Sequence, residues 1–469
     1  MSTGSGADSA PAPTTHEPTR HPTPAPQGAR SAGAAPDGPR KSSMFASLRV
    51  RNYRLFATGA VISNTGTWMA RITQDWLVLS LTGSSAAVGV TTAMQFLPML
   101  LFGLYGGVIA DRFAKRRLLF CTQGAMSLSG LFLAALTLSG HVQVWHVYLA
   151  AFFTGLVTVV DNPTRQSFVS EMVGPDQVRN AVSLNSANFQ SARLVGPAVA
   201  STLTAAVGPG WAFLANGLSF LAPLTALALM RARELHEIKR APRGKGQLRE
   251  GLRYVSGHPE LIWPIVLVGF VGTFGFNFPI WLSAYASDVY HGGVGQYGLF
   301  NTLMALGSLT GALLSARRRS SRLRVLVGAA LGFGALEVLA AWAPGVWVFA
   351  PLIVLLGVLG LTVNVTANST VQMGSDPEMR GRVMSLFMMV FVGGTPLGGP
   401  LFGWLADEYG VRVSFMLGGV ICAAAAAGVG LMLARAAGLR LKVDLRRGEQ
   451  HLRFVPRDGE RARELTAVA

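Results

Sequence analysis

Charge is scarce in this sequence. Only 13% of its 469 residues are Asp, Glu, Lys or Arg, against roughly a quarter in a soluble domain. With a mean hydropathy of +0.40, the deficit excludes water as the main solvent of the fold. Acidic residues are the rarer sign, 23 against 40 basic, for a net charge of +17. The basic residues fall in short clusters between long apolar runs. That pattern matches the positive-inside bias of membrane proteins rather than a nucleic-acid-binding face. Cysteine is nearly absent. Cys121 and Cys422 both sit in apolar runs far apart, which excludes a disulfide framework and a Cys-based metal site. There is no Gly-x-x-x-x-Gly-Lys-Ser/Thr phosphate loop, and Arg243-Gly244-Lys245-Gly246 does not meet the spacing, which argues against an ATP-driven pump. His-Glu-x-x-His, Gly-x-Ser-x-Gly and clustered histidines are missing too, so no enzyme chemistry or metal is expected. Residues 1–43 contain no apolar signal region. Their Ala, Pro, Gly, Ser and Thr content predicts a disordered tail.

Apolar runs of spanning length lie near 55–81, 86–110, 117–139, 144–162, 181–206, 210–230, 261–288, 295–315, 323–342, 346–367, 383–405 and 411–434. Alternate loops are basic. Arg112, Lys115, Arg116 and Arg117 follow the second run, a cluster from Arg231 to Arg253 follows the sixth, and Arg317 to Arg324 follow the eighth. The intervening loops at 82–85, 139–142, 207–210 and 343–346 are short and nearly uncharged. Lys and Arg mark the cytoplasmic side. With Arg40, Lys41, Arg49 and Arg51 ahead of the first run, both termini are expected inside, which requires an even number of spans.

The two halves resemble each other at a spacing of about 204 residues. Leu48-Arg49-Val50 answers Leu252-Arg253-Tyr254, and Gly103 and Gly107 answer Gly307 and Gly311. Gly174-Pro175-Asp176-Gln177 answers Asp376-Pro377-Glu378-Met379, and Gly196-Pro197 answers Gly399-Pro400. Two six-span halves rocking around a midplane site is a transporter layout. The expected organisation is a tail (1–43), a six-helix bundle (44–230), a basic cytoplasmic linker (231–260), a second bundle (261–435) and a cytoplasmic tail (436–469).

Residues 107–117, Gly-Val-Ile-Ala-Asp-Arg-Phe-Ala-Lys-Arg-Arg, resemble the signature of the major facilitator superfamily between spans two and three. Further stretches resemble its enterobactin-exporter-like branch of drug and siderophore efflux proteins. They are Asn52-Tyr53-Arg54-Leu55-Phe56, Gln74-Asp75-Trp76-Leu77, Gln95-Phe96-Leu97-Pro98 and Asp161-Asn162-Pro163-Thr164-Arg165-Gln166. The resemblance covers roughly 44–435. It implies an all-α membrane protein with twelve transmembrane helices in two pseudo-symmetric six-helix bundles. It also implies a proton-driven exporter of small amphiphiles in the bacterial inner membrane, with no cofactor beyond the proton gradient. Its partners would be a small-molecule substrate and the lipid bilayer, without nucleic acid, and it would act as a monomer. An importer or uniporter of a small metabolite, and a non-transporting scaffold or receptor, remain as alternatives. The sequence departs from the signature at Ala114, where Gly is usual, and at Ser315, which stands where the second-half copy of Asp111 would map.

The resemblance implies a cytoplasmic gate of Gly107, Asp111, Arg112, Lys115, Arg116 and Asp161, the alternative being that Arg112, Lys115, Arg116 and Arg117 only anchor topology. Asp111 would dock on the helix start near 383–385 through its dipole, and Lys115 would pair with Asp161. Arg71 and Asp75 are four residues apart on one helix face, inside a span where charge is costly. Asp75 is then either a protonation site or half of a structural ion pair. Arg193 in span five needs a carboxylate or carbonyls, and either neutralises a carboxylate or binds an anionic substrate. Gly196-Pro197 resembles an antiporter motif and predicts a bend with close helix approach. The resemblance implies that spans three, six, nine and twelve are peripheral, so for Glu337 in span nine a local pair or an outer-interface position is expected ahead of a cavity role. Gln95, Asn185, Asn188, Asn277 and Asn364 are cavity candidates, with Phe96, Phe274, Phe276, Phe278 and Trp281 suited to an apolar wall. Each of these also serves helix packing.

Overall fold

A computed structural model describes residues 45–236, 247–316, 323–436, 439–443 and 452–456. The expected tail 1–43 lies outside them, as do the basic residues at 237–246 and 317–322.

After a short 3-10 turn, the first six-span group consists of α1 (Arg51–Thr82), α2 (Ser85–Arg112), α3 (Lys115–Leu138), α4 (Val144–Val173), α5 (Val178–Val207), and α6 (Pro209–Ser219) continuing into α7 (Leu221–Leu229). The linker helix α8 (Gln247–Ser256) leads to the second group. There α9 (Pro259–Phe270) and α10 (Phe278–Ala284) form one broken span, followed by α11 (Val294–Ala316), α12 (Leu323–Ala341) and α13 (Val346–Gly374). Helices α14 (Arg380–Gly393) and α15 (Thr395–Tyr409) form a second broken span before α16 (Val411–Ala436).

Ten helical stretches among the described residues are long and apolar enough to cross a membrane. Helices α1 and α5, with 32 and 30 residues, match them in length but carry Arg71, Asp75 and Arg193, which lower their apolarity. The ten plus these two are compatible with the expected twelve. Beyond α16, β1 (Leu439–Val443) pairs antiparallel with β2 (Leu452–Pro456), Leu439 opposite Pro456. This pair lies beyond the second bundle, in the segment expected as the C-terminal tail. Its Leu-Arg-Leu-Lys-Val alternation has the period of a strand.

Two spans expected as continuous runs are interrupted. Between α9 and α10 the chain makes a π turn at Val271–Gly275, and a second π turn at Tyr285–Val289 ends that span. Pro279, with no N–H, sits in the first turn of α10. The α14–α15 break falls at Gly394, beside Pro396. The interruptions face each other: a β-carbon on Gly398 would stand 1.9 Å from the Thr273 carbonyl oxygen.

Within the first group α1 packs on α5 and on α6–α7, α2 on α4, and α3 on α4 and α6. Within the second, α11 packs on α13 and α12 on α13 and α16. The groups meet through α2 against α15 and α5 against α11. These are spans two with eleven and five with eight, a pair of contacts that the half repeat exchanges with one another. The repeat is therefore a property of the packing as well as of the sequence.

Candidate functional site

The two groups are fastened at the end of the bundle where α2 begins and α15 finishes, here the Ser84 end. The Asp407 carboxylate of α15 accepts from the Ser84 hydroxyl (2.5 Å), the Ser85 N–H (2.7 Å) and the Ala86 N–H (3.0 Å). It thereby satisfies free donors at the N-terminus of α2. One turn further in, α2 and α15 touch through Gly89 and Gly399, where a β-carbon on Gly89 would lie 2.2 Å from the Gly399 carbonyl oxygen. Only glycine permits this approach.

Beneath this seal lies a cavity of about 410 Å³ between the groups. Residues 68, 71, 72 and 75 present one face of α1 to it, as the helical period dictates. Thr92, Gln95 and Phe96 come from α2, and Arg193 and Pro197 from α5. The opposite wall holds Phe276, Phe278, Asn301, Met304, Asn364 and Phe391, among others. Spans one, two and five thus face spans seven, eight, ten and eleven. No lining residue comes from α3, α6, α7, α12 or α16.

Asp75 lies at the inner face of the seal and is 9% exposed. Its Oδ2 accepts from the Tyr297 hydroxyl of α11 at 2.9 Å, and Trp76 stacks on the same Tyr297 ring at 6.2 Å. The bond joins one half of the molecule to the other. The spacing had suggested Arg71 as the partner, but among the described ion pairs none joins Arg71 to Asp75. The Arg71 guanidinium lies 5.0 Å over the Trp68 ring and 6.0 Å from Phe96. Arg193 approaches the same indole, at 5.7 Å. The meeting is possible because α5 presses on α1 at Gly196, where a β-carbon would stand 2.4 Å from Trp68 Cβ. The expected close approach at Gly196-Pro197 is therefore present.

Of the five amides named from sequence, Gln95 and Asn364 line the cavity. Asn185 and Asn188 do not: they lie eight and five residues before Arg193, about 12 and 8 Å along the helix. Asn277 is buried and donates to the Thr273 carbonyl oxygen at 2.9 Å, serving the backbone that the π turn disrupts. Phe274 and Trp281 are also absent from the lining. Trp281 is fully buried and donates to the Ser414 hydroxyl.

At the other end of the bundle Asp111 is half-buried in the last turn of α2, near the half-buried Gly107, and Arg112 is exposed. Arg116 donates to the carbonyls of Leu227 (2.7 Å) and Ala228 (3.0 Å), capping α7. The expected Lys115–Asp161 pair is corrected: Lys115 pairs with Glu171. Asp161 is buried and accepts from Thr122 and Gln123 at 2.7 Å and from Arg165 at 3.0 Å. Helices α3 and α4 run antiparallel, so the start of α3 meets the end of α4. Asp161 lies ten residues, about 15 Å, further back.

Comparison with known proteins decides the family. The model of the transmembrane secretion effector family matches residues 42–453. The chain belongs to this family. The chain is also similar to the staphyloferrin A transporter of Staphylococcus aureus, at 23% identity over 78% of this chain and 92% of the relative. The enterobactin exporter EntS of Escherichia coli is 23% identical over 79% of this chain and 86% of that one. A crystal structure of a bacterial homologue of the lysosomal transporter Spinster, inward-facing and unoccupied, aligns with a TM-score of 0.66 at 16% identity. It covers 81% of this chain and 96% of that one. The fold is thus that of the major facilitator superfamily, an all-α membrane architecture, and the protein is a multi-pass membrane transporter of that superfamily.

Spans three, six, nine and twelve stand outside the cavity lining among the described residues. Glu337 of span nine contradicts its own expectation. It is 0% exposed and neither carboxyl oxygen has a hydrogen-bond partner among the described residues. It is enclosed by Gly275, Gly419 and Cys422 rather than paired or at an interface. Sequence reasoning missed Tyr297, Trp68 and Asn301. Trp68 was legible as one helical turn before Arg71, whereas nothing in the local sequence marks Tyr297 as the partner of Asp75.

Proposed function

We propose that this secretion effector family member is a proton-driven exporter of small amphiphilic compounds, drugs or siderophores, working by alternating access as a monomer. The observation that carries the reading is the Asp75–Tyr297 bond, a buried carboxyl in the cavity that also ties the two halves together. A charged acceptor makes a stronger hydrogen bond than a neutral one. Taking up a proton at Asp75 therefore weakens the tie between α1 and α11. Losing the proton restores the tie. In this reading both termini and the Asp111 end face the cytoplasm of the bacterial inner membrane, and the state described here is sealed toward the outside. Asp111, at the end of α2, forms with Gly107, Arg112 and the α3 start the gate that closes in the opposite state.

The cavity suits an amphiphile because one wall is aromatic and the other charged. The enterobactin exporter among the relatives supports the outward direction. Proteoliposomes with an imposed pH gradient test the proposal. Drugs or siderophores loaded inside should leave faster with the gradient than without it. Equal rates with and without the gradient discard proton coupling.

A further inference from the structure

The two arginines carry an inference about the substrate. Arg71 on α1 and Arg193 on α5 converge on one indole, Trp68, and both line the cavity. Each guanidinium brings five N–H donors and cannot discharge itself by losing a proton. Among the described hydrogen bonds and ion pairs, neither donates to a protein acceptor. Stacking on an indole engages the face of a guanidinium and leaves its edge donors unused. Asp75 is the one carboxylate among the lining residues, and it already accepts from Tyr297. The lining therefore carries two positive charges against one negative, within a membrane-spanning bundle where unpaired charge is expensive and is found facing a partner or a transport path.

We infer that the substrate carries an anionic group that docks on Arg71 and Arg193, with its apolar body against Phe276, Phe278 and Phe391. The inference rests on the cavity being the transport site. A carboxylate, sulfonate or similar oxyanion fits, because guanidinium donors match planar oxygen pairs. A cationic amphiphile meets repulsion from both arginines, and a neutral one leaves their donors unanswered. The charge also bears on direction: an inside-negative membrane potential drives an anion outward.

The test uses two probes that differ by one sulfonate, 1-anilinonaphthalene-8-sulfonate and uncharged N-phenyl-1-naphthylamine. Binding to the full-length protein in nanodiscs is measured by equilibrium dialysis against empty nanodiscs. The wild type should bind the anionic probe at least about tenfold tighter than the neutral one, the scale of one charge-assisted hydrogen bond. Arg71→Gln and Arg193→Gln should each lose about tenfold for the anion and leave the neutral probe within about twofold. Arg71→Lys and Arg193→Lys, which keep the charge, should retain most of the preference and serve if a Gln variant does not fold. Equal wild-type affinities for the two probes, or an undiminished preference in the Arg71→Gln/Arg193→Gln double variant, overturn the inference. Dialysis involves no gradient. Absent coupling in the proteoliposome assay thus defeats the proton reading alone, and absent anion preference defeats this inference alone.

Discussion

Asp75 and Glu337 are both carboxyl groups buried in apolar spans, and they are built in opposite ways. Asp75 faces the cavity from α1 and accepts a hydrogen bond from across the molecule. Glu337 sits on α12 inside the second group, with no exposure and with neither oxygen partnered among the described residues. Phe333 and Cys422 crowd around it and Gly275 of the π turn faces it. A carboxylate with neither oxygen compensated at such a site costs several kcal/mol, so the packing around Glu337 accommodates an uncharged acid and not an ion. At Asp75 the Tyr297 donor, with Arg71 one helical turn away, accommodates the charged form. The difference separates a carboxyl that has a partner for its charged form from one that has none among the described residues.

The largest effect that tests this contrast comes from forcing a charge on the second site. Glu337→Lys places an ammonium among Phe333, Gly275 and Cys422, with no counter-charge recorded there. The expected cost is at least about 3 kcal/mol. Size-exclusion chromatography in detergent should recover little or no monodisperse protein. Full recovery with an unchanged melting temperature means that the site is wetter than its packing shows.

Next in size, Asp75→Asn should reduce gradient-driven export to below about a tenth of wild type, with expression and chromatographic behaviour intact. Asn keeps an oxygen to accept from Tyr297 but cannot exchange a proton. Normal coupled transport by this variant returns Asp75 to a purely structural role and removes the distinction from Glu337.

How far these sites could be read in advance depends on the range of the interaction. Charges inside apolar runs are conspicuous, so Arg71, Asp75, Arg193 and Glu337 all stand out in the sequence. Their partners do not. Spacing along one helix proposed Arg71 for Asp75, yet the acceptor is claimed by Tyr297, 222 residues away, and Arg71 turns to Trp68. Lys115 and Asp161 failed for a similar reason, since only the antiparallel register of α3 and α4 shows that Lys115 meets Glu171. The pattern of apolar spans and the close approach at Gly196 were legible, because they depend on hydrophobic runs and residue size. The broken spans were legible in part. Gly272, Gly275 and Pro279, and Gly394 with Pro396, are helix-breaking signals, but the apolar runs of 261–288 and 383–405 covered them. Asn277 was assigned to the cavity because an amide in a span suggests a ligand contact, when its task is to satisfy the backbone at such a break.

A smaller effect follows from removing the donor and keeping the acceptor. Tyr297→Phe deletes the hydroxyl that reaches Asp75 and retains the ring that stacks on Trp76. The loss of one hydrogen bond to a charged group is worth roughly 1.5–3 kcal/mol in the state sealed at the Ser84 end. The population should therefore move toward opening there, measured as faster labelling of a cysteine introduced at Thr92 by a thiol reagent added from the Ser84 side. Unchanged labelling means that Asp407 and the Gly89–Gly399 contact hold the seal without help from Asp75.

The smallest expected effect is at Glu337→Gln, and it is the sharpest of the four. An amide has nearly the shape of the uncharged acid, so the close fit against Gly275, Gly419 and Cys422 is kept. The exchange adds one polar N–H where partners are already lacking, at a cost of about 1 kcal/mol or less. Coupled export should stay within about twofold of wild type. Asp75→Asn and Glu337→Gln make the same chemical change, carboxyl to carboxamide, in two buried positions of one transporter. If only the first stops export, the proton path runs through the cavity and its tie to Tyr297. If Glu337→Gln stops it as well with the melting temperature preserved, the acid behind the π turn must lose its proton in another state. The broken span over 259–289 would then be a moving part of the cycle rather than a fixed wall.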